Sequence, residues 1–259
     1  MYDYTTLDVK SKHGVLHVVL NRPDVYNAFN EQVIEELTEC FTRIPQNESH
    51  CVVLTGNGRH FCAGADLGWM QKVASYTKEE NSEDSRKMAL MFETIDRCPK
   101  PVIGRVNGSA FGGGVGLTAV CDYVVCSEKA HFAFSEINLG IVPAVISTYV
   151  LPKIGISRGR ALFLSGERFT AHDAVAMGLV HTVCPAEELD RVCEEKVEIL
   201  RSSGPRAMAA VKEMMRKWSA LPREEYARYT TELIASLRAS EEGKEGISAF
   251  LEKRRPVWR

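Results

Sequence analysis

One carboxylate in apolar company and two glycine-rich stretches are the parts of this chain best suited to chemistry. Glu136 stands in His131-Phe132-Ala133-Phe134-Ser135-Glu136-Ile137. A carboxylate on the end of such an apolar strand should be desolvated, which raises its pKa toward the range useful for acid–base work. The stretch Asn107-Gly108-Ser109-Ala110-Phe111-Gly112-Gly113-Gly114-Val115-Gly116-Leu117 follows an apolar run and opens a helical pattern. Glycines let backbone N–H groups approach a ligand closely, and a helix N-terminus favours negative charge. Two chemistries compete for this stretch. Gly114-Val115-Gly116-Leu117-Thr118-Ala119 fits the G-x-G-x-x-G/A pattern of dinucleotide sites, but that motif needs a short turn straight from its strand, and here the connection is longer. The alternative is a pair of N–H donors for negative charge developing on a carbonyl oxygen. A second stretch, Gly56-Asn57-Gly58-Arg59-His60-Phe61-Cys62-Ala63-Gly64-Ala65-Asp66-Leu67, also follows an apolar run. Two such loops could supply one N–H apiece to a single oxygen.

The elements that position these residues alternate. Strands are expected over 15–20, 51–55, 101–106, 123–127 and 131–134. Asn30 reads as the cap of a helix whose stripe is Val33, Ile34, Leu37, Phe41 and Ile44. A second helix carries Met88, Met91, Phe92 and Ile95. Strands alternating with helices predict an α/β architecture with parallel pairing. Thr170-Ala171-His172-Asp173 has capping-box spacing, and helices are expected over 187–202, 205–218, 222–238 and 242–252.

Composition narrows the function. The 259 residues carry a formal net charge of −2, which gives no electrostatic footprint for nucleic acid. The helix after Asn30 bears Glu31, Glu35, Glu36 and Glu39 with only Arg43 basic, a face expected to repel RNA. No apolar run approaches the ~20 residues of a membrane helix. The opening Met1-Tyr2-Asp3-Tyr4-Thr5-Thr6 has no secretory pattern, so a cytoplasmic location is expected. The eight cysteines and seven histidines are scattered, without C-x-x-C or H-x-x-x-H pairs. Buried thiols are expected, and no metal.

Asn21-Arg22-Pro23 with Asn27-Ala28-Phe29, the stretch 61–67, Asn107-Gly108 with Gly112-Gly113-Gly114, Leu139-Gly140-Ile141-Val142-Pro143, the stretch 170–180 and Phe250-Leu251-Glu252-Lys253-Arg254 together resemble the crotonase (enoyl-CoA hydratase/isomerase) superfamily. The resemblance covers essentially the whole chain. It implies a spiral of ββα units, here an α/β core over 1–200 that binds acyl-CoA. It also implies a helical C-terminal region over 201–259 for packing into homotrimers or dimers of trimers. By the same resemblance, the N–H groups of Ala65 and Gly113 bind the thioester carbonyl. Val25, Ala28, Ala63, Gly64, Asp66, Leu67, Gly112 and Gly116 line the acyl-CoA site, and Phe250 and Lys253 form a C-terminal patch that reaches a neighbour's CoA. Asp66 equally fits a helix cap, and Phe250 equally fits trimer core. Coenzyme A belongs to the substrate, and no separate cofactor is implied.

One departure shapes the expected activity. Hydratases of this superfamily hold two glutamates over the Cα–Cβ bond, at positions matching 116 and 136; here they are Gly116 and Glu136. The wording Asp66-Leu67-Gly68-Trp69-Met70, Gly113-Gly114-Val115-Gly116-Leu117 and the run from Ser135-Glu136 to Ser147 is similar to bacterial 3-methylglutaconyl-CoA hydratases of leucine breakdown. A Δ3,Δ2-enoyl-CoA isomerase, in which one carboxylate shuttles a proton between two carbons, is the alternative.

Overall fold

The apolar runs become the strands of one sheet, and the glycine-rich stretches become the passages to another. The computed structural model describes residues 4–258; residues 1–3 of the opening segment read above and residue 259 of the C-terminal region lie outside the described residues. In chain order the elements are β1 (Leu7–Lys12), β2 (Val15–Leu20), α1 (Glu31–Arg43), β3 (Cys51–Gly56), α2 (Leu67–Val73), α3 (Lys78–Asp96), β4 (Val102–Val106), β5 (Ala110–Phe111), α4 (Gly113–Val120), β6 (Tyr123–Ser127), β7 (His131–Ala133), α5 (Ala144–Ser165), β8 (Phe169–Thr170), α6 (Ala171–Met177), β9 (Thr182–Cys184), α7 (Leu189–Arg201), α8 (Pro205–Ala220), α9 (Arg223–Ala239) and α10 (Glu241–Leu251).

The larger sheet has the order β1-β2-β3-β4-β6-β9, and the smaller one β5-β7-β8. Among the described residues, only the β1–β2 and β7–β8 pairs are antiparallel. The chain visits the sheets by turns: β4 then β5, β6 then β7, β8 then β9. Cys62, beyond β3, likewise bridges to Ala110 of the small sheet. This winding is the expected spiral of strand–strand–helix units.

Strand β3 is buried along its whole length, as a parallel strand covered on both faces must be. Successive side chains point to opposite faces. Val52 and Leu54 therefore join the main core with Leu16, Val18 and Phe41, while Cys51 and Val53 pack with Cys193 and Val197 of α7. Asn30 caps α1 by accepting the Val33 N–H, and Thr170 with Asp173 completes the expected capping box. All eight cysteines are free and buried. Among the described residues, no helix is long and apolar enough to cross a membrane.

Some features depart from the sequence reading. Glu36 is not part of an acidic surface face: it is 4% exposed, and its carboxylate accepts bonds from the Thr5 and Thr6 amides and hydroxyls and from Gln32. Glu31 and Glu35 of the same helix pair with Lys72 and Lys87. Strand β7 ends at Ala133, so Glu136 stands in the short 3-10 turn Ser135–Leu139 rather than on the strand's end.

Candidate active site

The loop after β3 lies between Phe29 and strand β5. On one side Cys62 pairs with Ala110, and its carbonyl accepts the Phe111 N–H. On the other, the Gly64 carbonyl accepts the Phe29 N–H at 2.7 Å, and the Asp66 N–H donates to Phe29 O at 2.7 Å. A trans peptide directs its C=O and N–H oppositely. The Gly64 carbonyl points at Phe29, so the N–H of Ala65, at the other end of the same peptide plane, points away from it. Ala65 is exposed, and its N–H has no acceptor among the described residues.

The second loop presents its N–H by a different route. Gly112 caps α4 with φ +49°, a conformation that favours glycine, and its carbonyl accepts the Val115 N–H at 2.9 Å. The Gly113 N–H, opposite that carbonyl, is one of the orphan donors of a helix N-terminus and has no acceptor among the described residues. The loops touch closely. A Cβ built on Gly64 would stand 2.9 Å from Phe111 O and 3.9 Å from Gly112 Cα, and one on Gly114 would stand 2.3 Å from Cys62 O. Only glycine permits this approach.

Glu136 completes the group. Its Oε1 lies 3.1 Å from where a Cβ on Gly112 would be. Its Oε2 is buried without a hydrogen-bond partner among the described residues. Burial pushes the carboxyl above the usual glutamate range, against a weaker opposing pull from its own backbone N–H. A buried polar atom left unpaired costs stability, so a carboxylate kept in this state suits a group that meets its partner in a substrate. Two open N–H donors on adjoining loops and a desolvated carboxylate can together stabilise an oxyanion and carry a proton.

Gly116 follows the Gly113 donor by less than one turn of α4 and is covered by apolar side chains. It is buried, and a Cβ there would fall 2.4 Å from Ile146 Cγ2 and 2.9 Å from the Phe92 ring. The space that a side chain at 116 would enter is filled by these two residues. Phe29 backs the same helix, since a Cβ on Gly113 would meet its Cε2 at 2.4 Å, and the Phe29 and Phe92 rings pack edge to face.

The remaining sequence candidates divide by place. Ala28 and Gly64 are buried, Ala63 is half-buried, and Val25 and Leu67 are exposed beside the Ala65 loop. Asp66 is the helix cap: Oδ1 accepts the N–H groups of Gly68 and Trp69, and Oδ2 pairs with Arg22 at 2.9 Å. Burial raises its pKa, but the bonds from Trp69, Arg22 and Gly68 outweigh that and hold the carboxyl below the ordinary value. Phe250 and Lys253 are placed with α9 and α10 rather than with these loops, and Phe250 is 81% exposed. Asn27 was not among the candidates. It is 1% exposed, and its side chain joins the turn after β2 to the loop after β3 by accepting the Arg22 N–H and donating to Asn57 O and His60 O. Its signal was in the sequence, as an asparagine inside the quoted Asn27-Ala28-Phe29 motif.

The chain is similar to known proteins over nearly its whole length. The family described as enoyl-CoA hydratase/isomerase matches residues 10–259. The chain is 33% identical to the enoyl-CoA hydratase AKT6-1 of Alternaria alternata over 258 residues, covering 96% of this chain and 83% of that one. It is 30% identical to the peroxisomal Delta(3,5)-Delta(2,4)-dienoyl-CoA isomerase of Arabidopsis thaliana, covering 99% and 98%. The crystal structure of an enoyl-CoA hydratase from Shewanella pealeana superposes with a TM-score of 0.94 at 37% identity, covering 98% of this chain and 96% of that one.

Proposed function

Because the chain belongs to the enoyl-CoA hydratase/isomerase family of the crotonase superfamily, we propose that this enzyme adds water across the Cα=Cβ bond of an enoyl-CoA, with 3-methylglutaconyl-CoA, an intermediate of leucine breakdown, as its substrate. The observation that carries this reading is the buried, unpartnered carboxylate oxygen of Glu136 beside Gly112.

The thioester carbonyl accepts the N–H groups of Ala65 and Gly113. As water oxygen bonds to Cβ, Glu136 takes a proton from it, and the π electrons move onto the thioester oxygen as an enolate. The same carboxyl then returns its proton to Cα, and the carbonyl re-forms. The raised pKa supports both halves of this task, because a group titrating nearer the working pH both accepts and releases a proton readily. Hydration changes no net oxidation state, so the reading calls for no redox cofactor.

Position 116 offers nothing to hold the attacking water. The distal carboxylate of 3-methylglutaconyl-CoA supplies a polar group that the protein lacks there, which favours this substrate over an unsubstituted enoyl-CoA. The apolar wall of Ile146 and Phe92 over Gly116 also supports a second reading. A Δ3,Δ2-enoyl-CoA isomerase needs one carboxylate and no water. Measuring kcat/KM for 3-methylglutaconyl-CoA, crotonyl-CoA and a 3-enoyl-CoA decides between them. The hydratase reading expects 3-methylglutaconyl-CoA to exceed crotonyl-CoA by ~10²–10⁴-fold, the worth of one positioned acid–base group. Equal hydration of both discards the substrate's role, and fast isomerisation without hydration selects the isomerase.

Homotrimers or dimers of trimers are the proposed assembly. Support comes from large apolar side chains left exposed on the C-terminal helices, among them Trp218, Phe250 and Leu251. Light scattering on the purified protein tests it.

A further inference from the structure

The Arg22 side chain, part of the first motif, has no role in the chemistry above. Its Nη1 donates to Ala28 O at 2.6 Å, and its Nη2 to Asp66 Oδ2 at 2.9 Å. Arg22 and Asp66 side chains are 20% and 15% exposed, so the guanidinium acts largely out of water. The first of these bonds begins a chain. Ala28 C=O and Phe29 N–H are the two ends of one peptide plane. Phe29 N–H donates to Gly64 O at 2.7 Å, and Gly64 C=O shares its peptide plane with Ala65 N–H. A cation is thus joined to the open Ala65 donor through two peptide groups, each accepting at its oxygen and donating at its nitrogen. Hydrogen bonds in such chains polarise one another, by ~10–30% per bond.

We propose that Arg22 is a positioning and polarising residue for the Ala65 N–H: through the 28–29 and 64–65 peptides it fixes the direction of that donor and strengthens it toward a substrate oxyanion. The proposal rests on the reading of Ala65 and Gly113 as the oxyanion donors. Arg22 does not itself touch the reacting atoms. Its second arm, to the residue just after Ala65, holds the same segment from the other side. Asn27 anchors the Arg22 backbone in both directions, with Arg22 N–H donating to Asn27 Oδ1 and Asn27 N–H donating to Arg22 O, each at 2.9 Å.

The test is the absorbance of a bound chromophoric cinnamoyl-CoA thioester, whose red shift reports polarisation of its carbonyl, read beside kcat and KM for an enoyl-CoA. Arg22→Met and the polar, neutral Arg22→Gln are the variants. Both are expected to lose a clear part of the red shift, the Gly113 donor remaining, and about 10-fold in kcat, less than the ~10²–10³ of deleting a donor, with KM within about 3-fold of wild type. Asp66→Asn, an equally good helix cap that leaves Arg22 on Ala28, is expected to keep most of the shift. A wild-type shift and kcat in either folded Arg22 variant overturns the proposal. Equal loss in Asp66→Asn also overturns the peptide relay, since the effect would then run through the ion pair. No shift on the wild-type enzyme overturns the oxyanion reading itself, and this proposal with it.

Discussion

The Glu136 carboxylate occupies the room left by the missing side chain of Gly112, with Oε1 only 3.1 Å from where a Cβ would stand. Gly112 also holds φ +49° and ψ −118°, a region that other residues enter at a cost of ~1–3 kcal/mol. Gly112→Ala is therefore expected to lower thermal stability by that order and to displace the carboxylate. Turnover should fall at least ~10-fold, beyond what the lost folded fraction accounts for. Steady-state kinetics on protein shown to be folded by circular dichroism makes the measurement.

Glu136→Gln keeps shape but cannot exchange a proton, and turnover should fall at least ~100-fold. Binding of a CoA thioester should change little, as isothermal titration will show. Near-normal turnover would remove Glu136 from the mechanism.

The same substitution has a stability signature with a definite sign. Burial raises the Glu136 carboxyl in the folded state. Its contribution to stability is therefore present below the unfolded value, about 4.3 for glutamate, and is lost as pH rises through the raised folded value. Glu136→Gln should gain stability relative to wild type as pH increases from 4 to 8. Urea denaturation across that range tests the trend, and a shrinking difference would contradict it.

Glu36 should behave in the opposite sense. Burial raises its pKa, but the bonds from Thr6, Thr5 and Gln32 more than offset this and leave the carboxyl below its usual value. It therefore stabilises the fold above the unfolded value, and that contribution is lost as pH falls through the folded value. Glu36→Gln is expected to cost ~1.5–3 kcal/mol at pH 7, the worth of hydrogen bonds to a charged group, and much less in acid. Equal losses at pH 7 and pH 3.5 would rule the ionic contribution out.

At position 116 the obstacle is volume. Gly116→Ala drives a methyl group toward Ile146 and Phe92 and should destabilise by ~1–3 kcal/mol, as overpacking typically does. Gly116→Glu should lose more stability without gaining crotonyl-CoA hydration while Ile146 remains. Adding Ile146→Ala to Gly116→Ala should recover part of the loss, which a thermal melt of the three variants will reveal.

How much of this was legible in the sequence depends on what each feature is made of. Strands β2, β3, β4 and β6 were visible as mostly apolar runs, His17 and Arg105 aside, because both faces of a parallel sheet are covered. Strand β1 was not read, because Leu7-Asp8-Val9-Lys10-Ser11-Lys12 pairs at the sheet's edge and buries little beyond Leu7. Helix α5 was also missed. Its buried residues, among them Ile146, Val150 and Ile154, share a chain interrupted by Pro152 and by Gly155 at φ 76°. The two-residue strands β5 and β8 exist only through their partners. In the site, Glu136 and the glycines announced themselves by residue type. The Arg22 chain did not, because it is defined by the orientation of peptide planes, which no side-chain pattern encodes. Nor could spacing reveal that Ile146 and Phe92 converge on Gly116 from two different helices.

Cys62 sits at the seam between the two glycine loops, fully buried, with its thiol pushed up to about 12 by burial. Only the thiolate reacts with alkylating reagents, so in the closed protein this sulfur is chemically silent. It becomes reactive when the loops part. The seam thus carries its own clock: the rate of Cys62 alkylation times the separation of the loops. Cys51, similarly buried with a thiol near 12 but packed under α7, times the release of that helix. Comparing the two rates by mass spectrometry would separate parting of the two glycine loops from fraying of the scaffold. A bound thioester that bridges both loops should slow the first clock and leave the second unchanged.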